Sequence, residues 1–321
     1  MSITYKPIDG TYAEIYEKVT GIKNFMLEYN PGKLINNFLY KDIAQKVLDT
    51  PVRKEDTWLV SFPRTGSTWC QEMIWLIGNN LDFDTAKNTL QHYRAPILET
   101  YSAIHEYIDV FKEKFTDSLD YINNLPSPRY IKTHLRSCLL PTELHKVKPK
   151  IIYVLRNPKD VCISYFHLTK CVYNIDIHFE SFCELFLNDA VAYGGLFDHY
   201  FDFWNRRHES NILVLRYEEM VADTRGVLKQ IADFMGKPLS EEDISALEEF
   251  VSFKNMRVNR ACNTDPLLEA KNRQEYFKKT GIHFIRKGKV GDWKNYMSPE
   301  IARRFDEYIE KHTEGTDLSF D

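Results

Sequence analysis

Four short segments of the chain carry side chains suited to gripping an anionic ligand and reacting with it. In Ser61-Phe62-Pro63-Arg64-Thr65-Gly66-Ser67-Thr68-Trp69, a β-rich run meets a proline and a glycine, and an apolar helical stretch follows. Such a junction aims backbone N–H groups and the positive end of a helix dipole at one spot. Ser67 and Thr68 add hydroxyl donors and Arg64 a fixed charge. Alone, the loop is also compatible with a plain strand-to-helix turn. It is not a Walker A sequence, because Gly66 is followed by Ser rather than Lys. A second junction, Arg156-Asn157-Pro158-Lys159-Asp160 with Ser164 beyond it, repeats the logic with Asn as cap and Pro in the first turn. Its plainer alternative is a solvated helix start with Lys159 and Asp160 as a surface pair.

The third segment, Arg286-Lys287-Gly288-Lys289-Val290-Gly291-Asp292-Trp293-Lys294, places four cations among two glycines, a flexible basic loop able to wrap a phosphate. A solvated charge run is the competing reading. In the fourth, Lys132-Thr133-His134, the period of two puts cation and imidazole on one face of a strand. That pairing suits leaving-group stabilisation and general-base work, although most of the ten histidines must be structural.

These residues need a scaffold, and the chain alternates strand-like with helix-like runs. Thr57 to Phe62, Arg129 to His134, Ile151 to Leu155 and Ile212 to Leu215 read as strands; the third is apolar throughout, as a strand buried on both faces must be. Helices are expected from about Thr68 to Ile77, after Asn157, around Val227, Ile231 and Phe234 up to Gly236, and from a capping box at Ser240 to Asp243. The pattern predicts an α/β fold, a parallel β-sheet flanked by helices on both faces, in one domain over 1–321. Ligands would bind at the carboxyl ends of its strands. Residues 95–128 and 257–284 lack a sustained period, and read as surface loops with short helices or as a lid.

Composition narrows the function classes. With 321 residues, 42 Lys+Arg against 46 Asp+Glu and 43% hydrophobic residues, the chain is neither disordered nor of low complexity. A net charge of −4 argues against a general nucleic-acid partner. Met1 to Lys6 lack the apolar core of a signal peptide, and no run approaches the ~20 apolar residues of a membrane span. Six scattered cysteines without a C-x-x-C pair favour a reduced, cytoplasmic protein with no structural zinc.

In this order, the segments resemble the soluble, cytosolic sulfotransferases that use 3′-phosphoadenosine 5′-phosphosulfate (PAPS). The family's phosphosulfate loop, [FY]-P-K-[ST]-G-[ST]-T-W, is matched by Phe62 to Trp69, and its K-T-H strand by Lys132 to His134. R-N-P-K-D-V-x-x-S is matched by Arg156 to Ser164, and R-K-G-x-x-G-D-W-K by Arg286 to Lys294. Smaller echoes are Arg94-Ala95-Pro96, Tyr217-Glu218 and Ser252-Phe253-Lys254-x-Met256. The resemblance implies a P-loop-like strand–loop–helix in which Arg64, Thr65, Gly66, Ser67 and Thr68 hold the 5′-phosphosulfate. Arg156, Ser164, Arg286, Lys287 and Gly288 would hold the 3′-phosphate; Trp69, Tyr217, Phe253 and Met256 would enclose the adenine, as aromatic faces do for a base. His134 would deprotonate the hydroxyl or amine of a small apolar or aromatic acceptor. Lys132 and Arg64 would neutralise charge on the departing phosphate, with no metal required.

The match has departures. Arg64 stands where the family usually has Lys. Arg136 replaces the proline after K-T-H-L, a charge near the expected acceptor entrance that either favours an anionic acceptor or, as expected here, faces solvent. The family's dimer motif survives only in Lys294 of Lys294 to Arg303, leaving monomer or homodimer open. Tyr93, Tyr101, Phe166, Leu168 and Phe284 are candidates for an acceptor pocket. A dehydratase of the same fold, eliminating sulfate from a sulfonated alcohol, is the alternative activity. A P-loop nucleotide kinase would need the missing lysine, and a carrier would not need Lys132 and His134.

Overall fold

A computed structural model describes residues 2–111, 117–271 and 275–320. Its first strands, β1 (Thr4–Pro7), β2 (Met26–Asn30) and β3 (Leu34–Asn37), form a small antiparallel sheet that the sequence reading does not contain. β1 is exposed along its whole length, so it shows no inward-facing period, and only Pro31-Gly32 between β2 and β3 marks a turn.

The expected parallel sheet is present. β4 (Thr57–Ser61), β5 (Tyr130–Thr133), β6 (Lys150–Leu155) and β7 (Ile212–Arg216) lie side by side in the order β5-β4-β6-β7. Alternation along β6 divides the interior. Ile151, Tyr153 and Leu155 join the core that contains the Pro158–Cys171, Phe179–Leu187 and Leu196–Trp204 helices. Ile152 and Val154 join the core of the Ser67–Gly78, Thr224–Met235 and Glu241–Phe250 helices. Both faces of the central strands are therefore covered, at about 1.5–3 kcal/mol for each large apolar side chain buried. The larger core also holds Met26, Leu27 and Leu34, so the antiparallel sheet rides on the same interior.

The chain leaves β4 for β5 on one side and then crosses to β6 on the other. This opens a crevice between β4 and β6, where the loops carrying Arg64 and Arg156 begin. The helices start as their sequences require: Asn157 Oδ1 accepts from the Lys159 N–H (3.0 Å) ahead of Pro158, and Ser240 and Asp243 form a capping box. The two aperiodic stretches hold the expected short helices, but much of the first is buried rather than on the surface. Ile97 bridges Lys132 as an edge extension of the sheet, and short helices follow at Thr100–Ala103, Ser118–Asn124 and Asp265–Ala270. Residues 112–116 and 272–274 of those stretches lie outside the described residues.

Two segments that enter the sheet, ahead of β4 and β5, are tied by a buried ion pair. Arg129 donates from Nε to Asp56 Oδ1 (2.8 Å) and from Nη2 to the Pro51 carbonyl (2.8 Å), and neither charged side chain reaches solvent. Replacing Arg129→Met should cost about 3–5 kcal/mol, because Asp56 would be left buried without a counter-charge. The double variant Arg129→Met/Asp56→Leu should regain most of it. Urea unfolding midpoints measure both, and equal midpoints for Arg129→Met and the parent would contradict the assignment.

Candidate active site

All four strands of the parallel sheet deliver residues to one cleft at their carboxyl ends. β4 runs into Phe62-Pro63-Arg64, β5 ends on Thr133 beside His134, β6 ends before Arg156, and β7 before Tyr217. The cleft, a cavity of about 200 Å³, is lined by Arg64, Gly66, Ser67, Thr68, Trp69, Lys132, His134, Arg156, Ser164, Tyr217, Phe253, Met256, Arg286, Lys287 and Gly288. Every residue that the resemblance assigns to the nucleotide or to catalysis is thus in one place except Thr65. The Thr65 side chain is buried and its hydroxyl donates back to the Phe62 carbonyl (3.1 Å), so its side chain braces the loop.

The two glycine loops close under aromatic rings. A Cβ on Gly66 would stand 2.5 Å from Tyr217 Cδ2, and one on Gly288 would stand 2.4 Å from Phe253 Cδ2. Both glycines also have positive φ, +105° and +63°. Gly66 is the N-cap of the Ser67–Gly78 helix and provides no side-chain cap; the Trp69 N–H turns back to the Gly66 carbonyl (3.1 Å), which leaves the Ser67 and Thr68 N–H groups without a side-chain cap. Arg64 sits in the left-handed region (φ +73°), rare for a residue with a side chain. From there its Nε donates to Ser164 Oγ (3.0 Å) and its Nη2 to the Phe284 carbonyl (3.0 Å).

Arg156 bridges the loops. Nη1 donates to the Arg64 carbonyl (3.2 Å), Nη2 to the Lys289 carbonyl (3.3 Å), and the guanidinium lies 4.1 Å from the Tyr217 ring centroid. Tyr200 holds its backbone, accepting from the Arg156 N–H (3.1 Å) and donating to the Arg156 carbonyl (2.6 Å). Arg156 Nε and Arg286 Nε are buried N–H groups without a partner among the described residues, a donor set that fits an anionic ligand.

Acidic residues the sequence reading passed over organise these cations. Asp160 accepts from the backbone N–H of Gly291 (2.7 Å) and Trp293 (3.0 Å), clamping the basic loop to the Pro158–Cys171 helix. It is buried, as is Lys159, which pairs with Asp306; the surface-pair alternative is excluded. Asp292 pairs with Arg286 and with Lys287 (2.8 Å), which ties down the start of the basic loop, while Lys287, Lys289 and Lys294 stay exposed to solvent. Burial works against the Asp292 carboxylate, but those hydrogen bonds outweigh it and hold its pKa at about 2. The one signal was position: an acid two residues into a helix, and another inside a basic run.

At the β5 end, the His134 Nδ1 lies 2.7 Å from the Ser61 carbonyl, which can only accept; Nδ1 therefore carries the proton and Nε2 the lone pair. Glu99, fully buried, accepts from the His134 backbone N–H (2.7 Å) and from Thr133 Oγ1 (2.8 Å), fixing the turn after β5. Burial and then Lys132 push the His134 pKa well below 6.5, so the imidazole is neutral at neutral pH. Burial, reinforced by Arg64, lowers the Lys132 pKa to about 7, while burial lowers that of Arg64 only to about 10. The arrangement offers a neutral base beside two cations and a ring of backbone donors.

Two expectations fail. Arg136 does not face solvent: it pairs with Asp202 (3.2 Å) and Asp198 (2.9 Å) and donates to the Gly32 carbonyl (3.1 Å), because the Leu196–Trp204 helix presents two aspartates to it. Of the acceptor-pocket candidates, Leu168 and Phe284 line the cleft, while Tyr93, Tyr101 and Phe166 pack against the larger core. His92, Ile97, Ala103, Ile104, Tyr173 and Leu267 line it instead.

Comparisons with known proteins agree with this geometry. The family described as "Sulfotransferase domain" matches residues 54–317. Luciferin sulfotransferase of Photinus pyralis is 34% identical over 284 residues, covering 86% of this chain and 76% of that protein. Sulfotransferase 1E1 of Bos taurus is 31% identical over 294 residues, covering 90% and 95%. The structure of retinol dehydratase in complex with androsterone and inactive cofactor PAP superposes with a TM-score of 0.85 at 28% identity, over 100% of this chain and 98% of that one.

The glycine geometry is testable without any ligand. Gly66→Ala should destabilise the fold by about 1–3 kcal/mol, through both its φ and the contact with Tyr217. Gly236 has φ +70° but nothing within 4 Å of a Cβ, so Gly236→Ala should cost only about 1 kcal/mol. Thermal or urea denaturation ranks the two, and a larger loss at Gly236 would refute the packing argument.

Proposed function

The chain belongs to the sulfotransferase family, and from that premise we propose how its cleft performs the transfer. It is a PAPS-dependent sulfotransferase that acts on a small-molecule acceptor. The proposal is carried by Arg156, which joins a phosphosulfate-type loop to a basic glycine loop beside Lys132 and His134. The N–H groups after Gly66, with the Ser67 and Thr68 hydroxyls, would hold the 5′-phosphosulfate. Arg156, Ser164, Arg286, Lys287 and the Gly288 backbone would hold the 3′-phosphate, and Trp69, Tyr217, Phe253 and Met256 the adenine. The nucleotide supplies the sulfuryl group.

His134 Nε2 takes the proton of the acceptor hydroxyl as its oxygen attacks sulfur. Lys132 and Arg64 stabilise the charge that collects on the departing phosphate oxygens. Ser61 and Glu99 keep the imidazole in the required tautomer and place. Residues 1–321 work as one unit, a reading supported by the shared core of both sheets. The cytoplasm is the compartment supported by six unpaired cysteines, and no helix among the described residues is long and apolar enough to cross a membrane.

A second reading is favoured by the full-length likeness to retinol dehydratase: the same transfer followed by loss of sulfate. Mass analysis of the product separates the two. Gain of a sulfuryl group supports the transferase, and loss of water supports the dehydratase.

His134→Ala should lower kcat by about 10²–10⁴-fold while leaving the Kd for PAP within about twofold; undiminished turnover would sink the base assignment. Arg64→Lys should retain substantial turnover and Arg64→Ala should lose most of it. Because Lys132 must be charged, kcat/KM should fall as pH rises through about 7. In Lys132→Arg the residual kcat/KM should have no such limb, and an unchanged pH profile would remove Lys132 from the mechanism.

A further inference from the structure

Two adjacent residues of the Leu196–Trp204 helix, His199 and Tyr200, reach opposite ends of the reaction. Both are wholly buried. Neither lines the cleft, nor the adjoining chamber of about 390 Å³ that shares Ala103, Ile104, Val172 and Tyr173 with it. Each instead holds the backbone of a residue that does line the cleft. The Tyr200 hydroxyl accepts from the Arg156 N–H (3.1 Å) and donates to the Arg156 carbonyl (2.6 Å). His199 Nε2 lies 3.0 Å from the carbonyl of His134.

The partners of His199 fix its ring. A carbonyl only accepts, so Nε2 carries the proton, and Nδ1 turns its lone pair to the Tyr153 hydroxyl at 2.7 Å. This tautomer is the reverse of that in His134. Burial lowers the His199 pKa to about 4, so the ring is neutral and only this tautomer can donate to the His134 carbonyl. The rings of Tyr153, on β6, and Phe62, after β4, pack against it with centroids 5.7 and 5.8 Å away. Three residues further along the same helix face, Asp202 accepts from the Ser137 N–H (3.0 Å) and pairs with Arg136. The helix thus grips the chain from His134 to Ser137. Glu99 takes the His134 N–H and Ser61 its Nδ1, so Nε2, the atom that takes the proton, projects from a residue fixed at three points.

We propose that the Leu196–Trp204 helix sets the geometry between base and nucleotide, His199 being a positioning residue for His134 and Tyr200 one for Arg156. This rests on the reading of His134 as the base and of Arg156 as a nucleotide cation. His199 touches neither reactant. It holds the His134 carbonyl and, through it, the aim of Nε2, where a misplacement of about 1 Å costs about 10²-fold in rate.

The test uses the full chain, single-turnover transfer from radiolabelled PAPS to 2-naphthol, and the Kd of PAP read by tryptophan fluorescence. His199→Phe keeps a ring among Phe62, Tyr153 and Phe203 but donates nothing. It should slow transfer by about tenfold or more and hold the Kd of PAP within about twofold. His199→Gln, whose amide can donate to the same carbonyl, should recover most of that loss. In a His134→Ala background, His199→Phe should change the residual rate by less than about twofold, since no base remains to be aimed. A merely structural residue would cost the same in both backgrounds. Tyr200→Phe should show the opposite split, raising the Kd of PAP by about fivefold or more.

The inference is overturned if His199→Phe transfers at the parental rate, if its loss is as large without the His134 ring, or if Tyr200→Phe binds PAP as the parent does. Should His199→Phe not fold, Tyr153→Phe takes its place, because it frees the His199 tautomer by removing one oxygen. It should slow transfer about threefold in the parent and not in His134→Ala, and parental transfer by it overturns the inference. Undiminished transfer by His134→Ala, or no PAP binding by the parent, removes the reading of the cleft itself. Loss at His134→Ala with none at His199→Phe removes only this inference.

Discussion

Arg156 donates to the carbonyls of Arg64 and Lys289 from between them, its flat face on Tyr217, and the two cationic loops take their relative positions from that guanidinium. A lysine could not do this, since only a planar fork reaches two carbonyls and an aromatic face at once. The arrangement gathers Arg64, Lys132, Arg156 and Arg286 around one cleft, which is costly: burial and mutual repulsion draw Lys132 down to about 7. The surrounding structure offsets the cost with acids set just outside. Asp292 answers Arg286 and Lys287, and Asp160 answers the backbone of the basic loop. Glu218 accepts from the Asn157 N–H (2.9 Å) at the helix start. The inner face is left positive and the outer shell neutralised, a distribution suited to a compact polyanion.

The same economy explains the catalytic end. β5 is an edge of the four-stranded sheet until residues 96–98 pair with Lys132, whose N–H donates to the Pro96 carbonyl (2.9 Å) while its carbonyl accepts from Leu98 (2.8 Å). That added ladder and the Glu99 carboxylate make the Lys132–His134 segment rigid on both sides. An imidazole and an ammonium on a strand end are thereby held in a fixed relative geometry.

The loops that line the cleft were legible in the sequence because their parts are local: a strand, a glycine, a helix start, with cations at fixed offsets. β6 announced itself by Ile151 to Leu155, and the basic loop by its glycines. What stayed hidden depends on contacts between distant segments. Asp160 and Asp292 are ordinary acids until the fold sets them against backbone amides and guanidinia. Arg136 looked free because its partners, Asp198 and Asp202, lie more than sixty residues on in the Leu196–Trp204 helix. The antiparallel sheet escaped notice for want of an amphipathic period in β1.

The cleft and the adjoining chamber draw on different stretches of chain. Trimmed to residues 54–317, the protein would keep every residue that lines the cleft and residues 165–193 of the adjoining chamber, yet β2, β3 and the Gly10–Thr20 helix, which form much of the rest of its wall, would be gone. Loss of the first fifty residues would thus open the adjoining chamber while leaving the lining of the cleft complete.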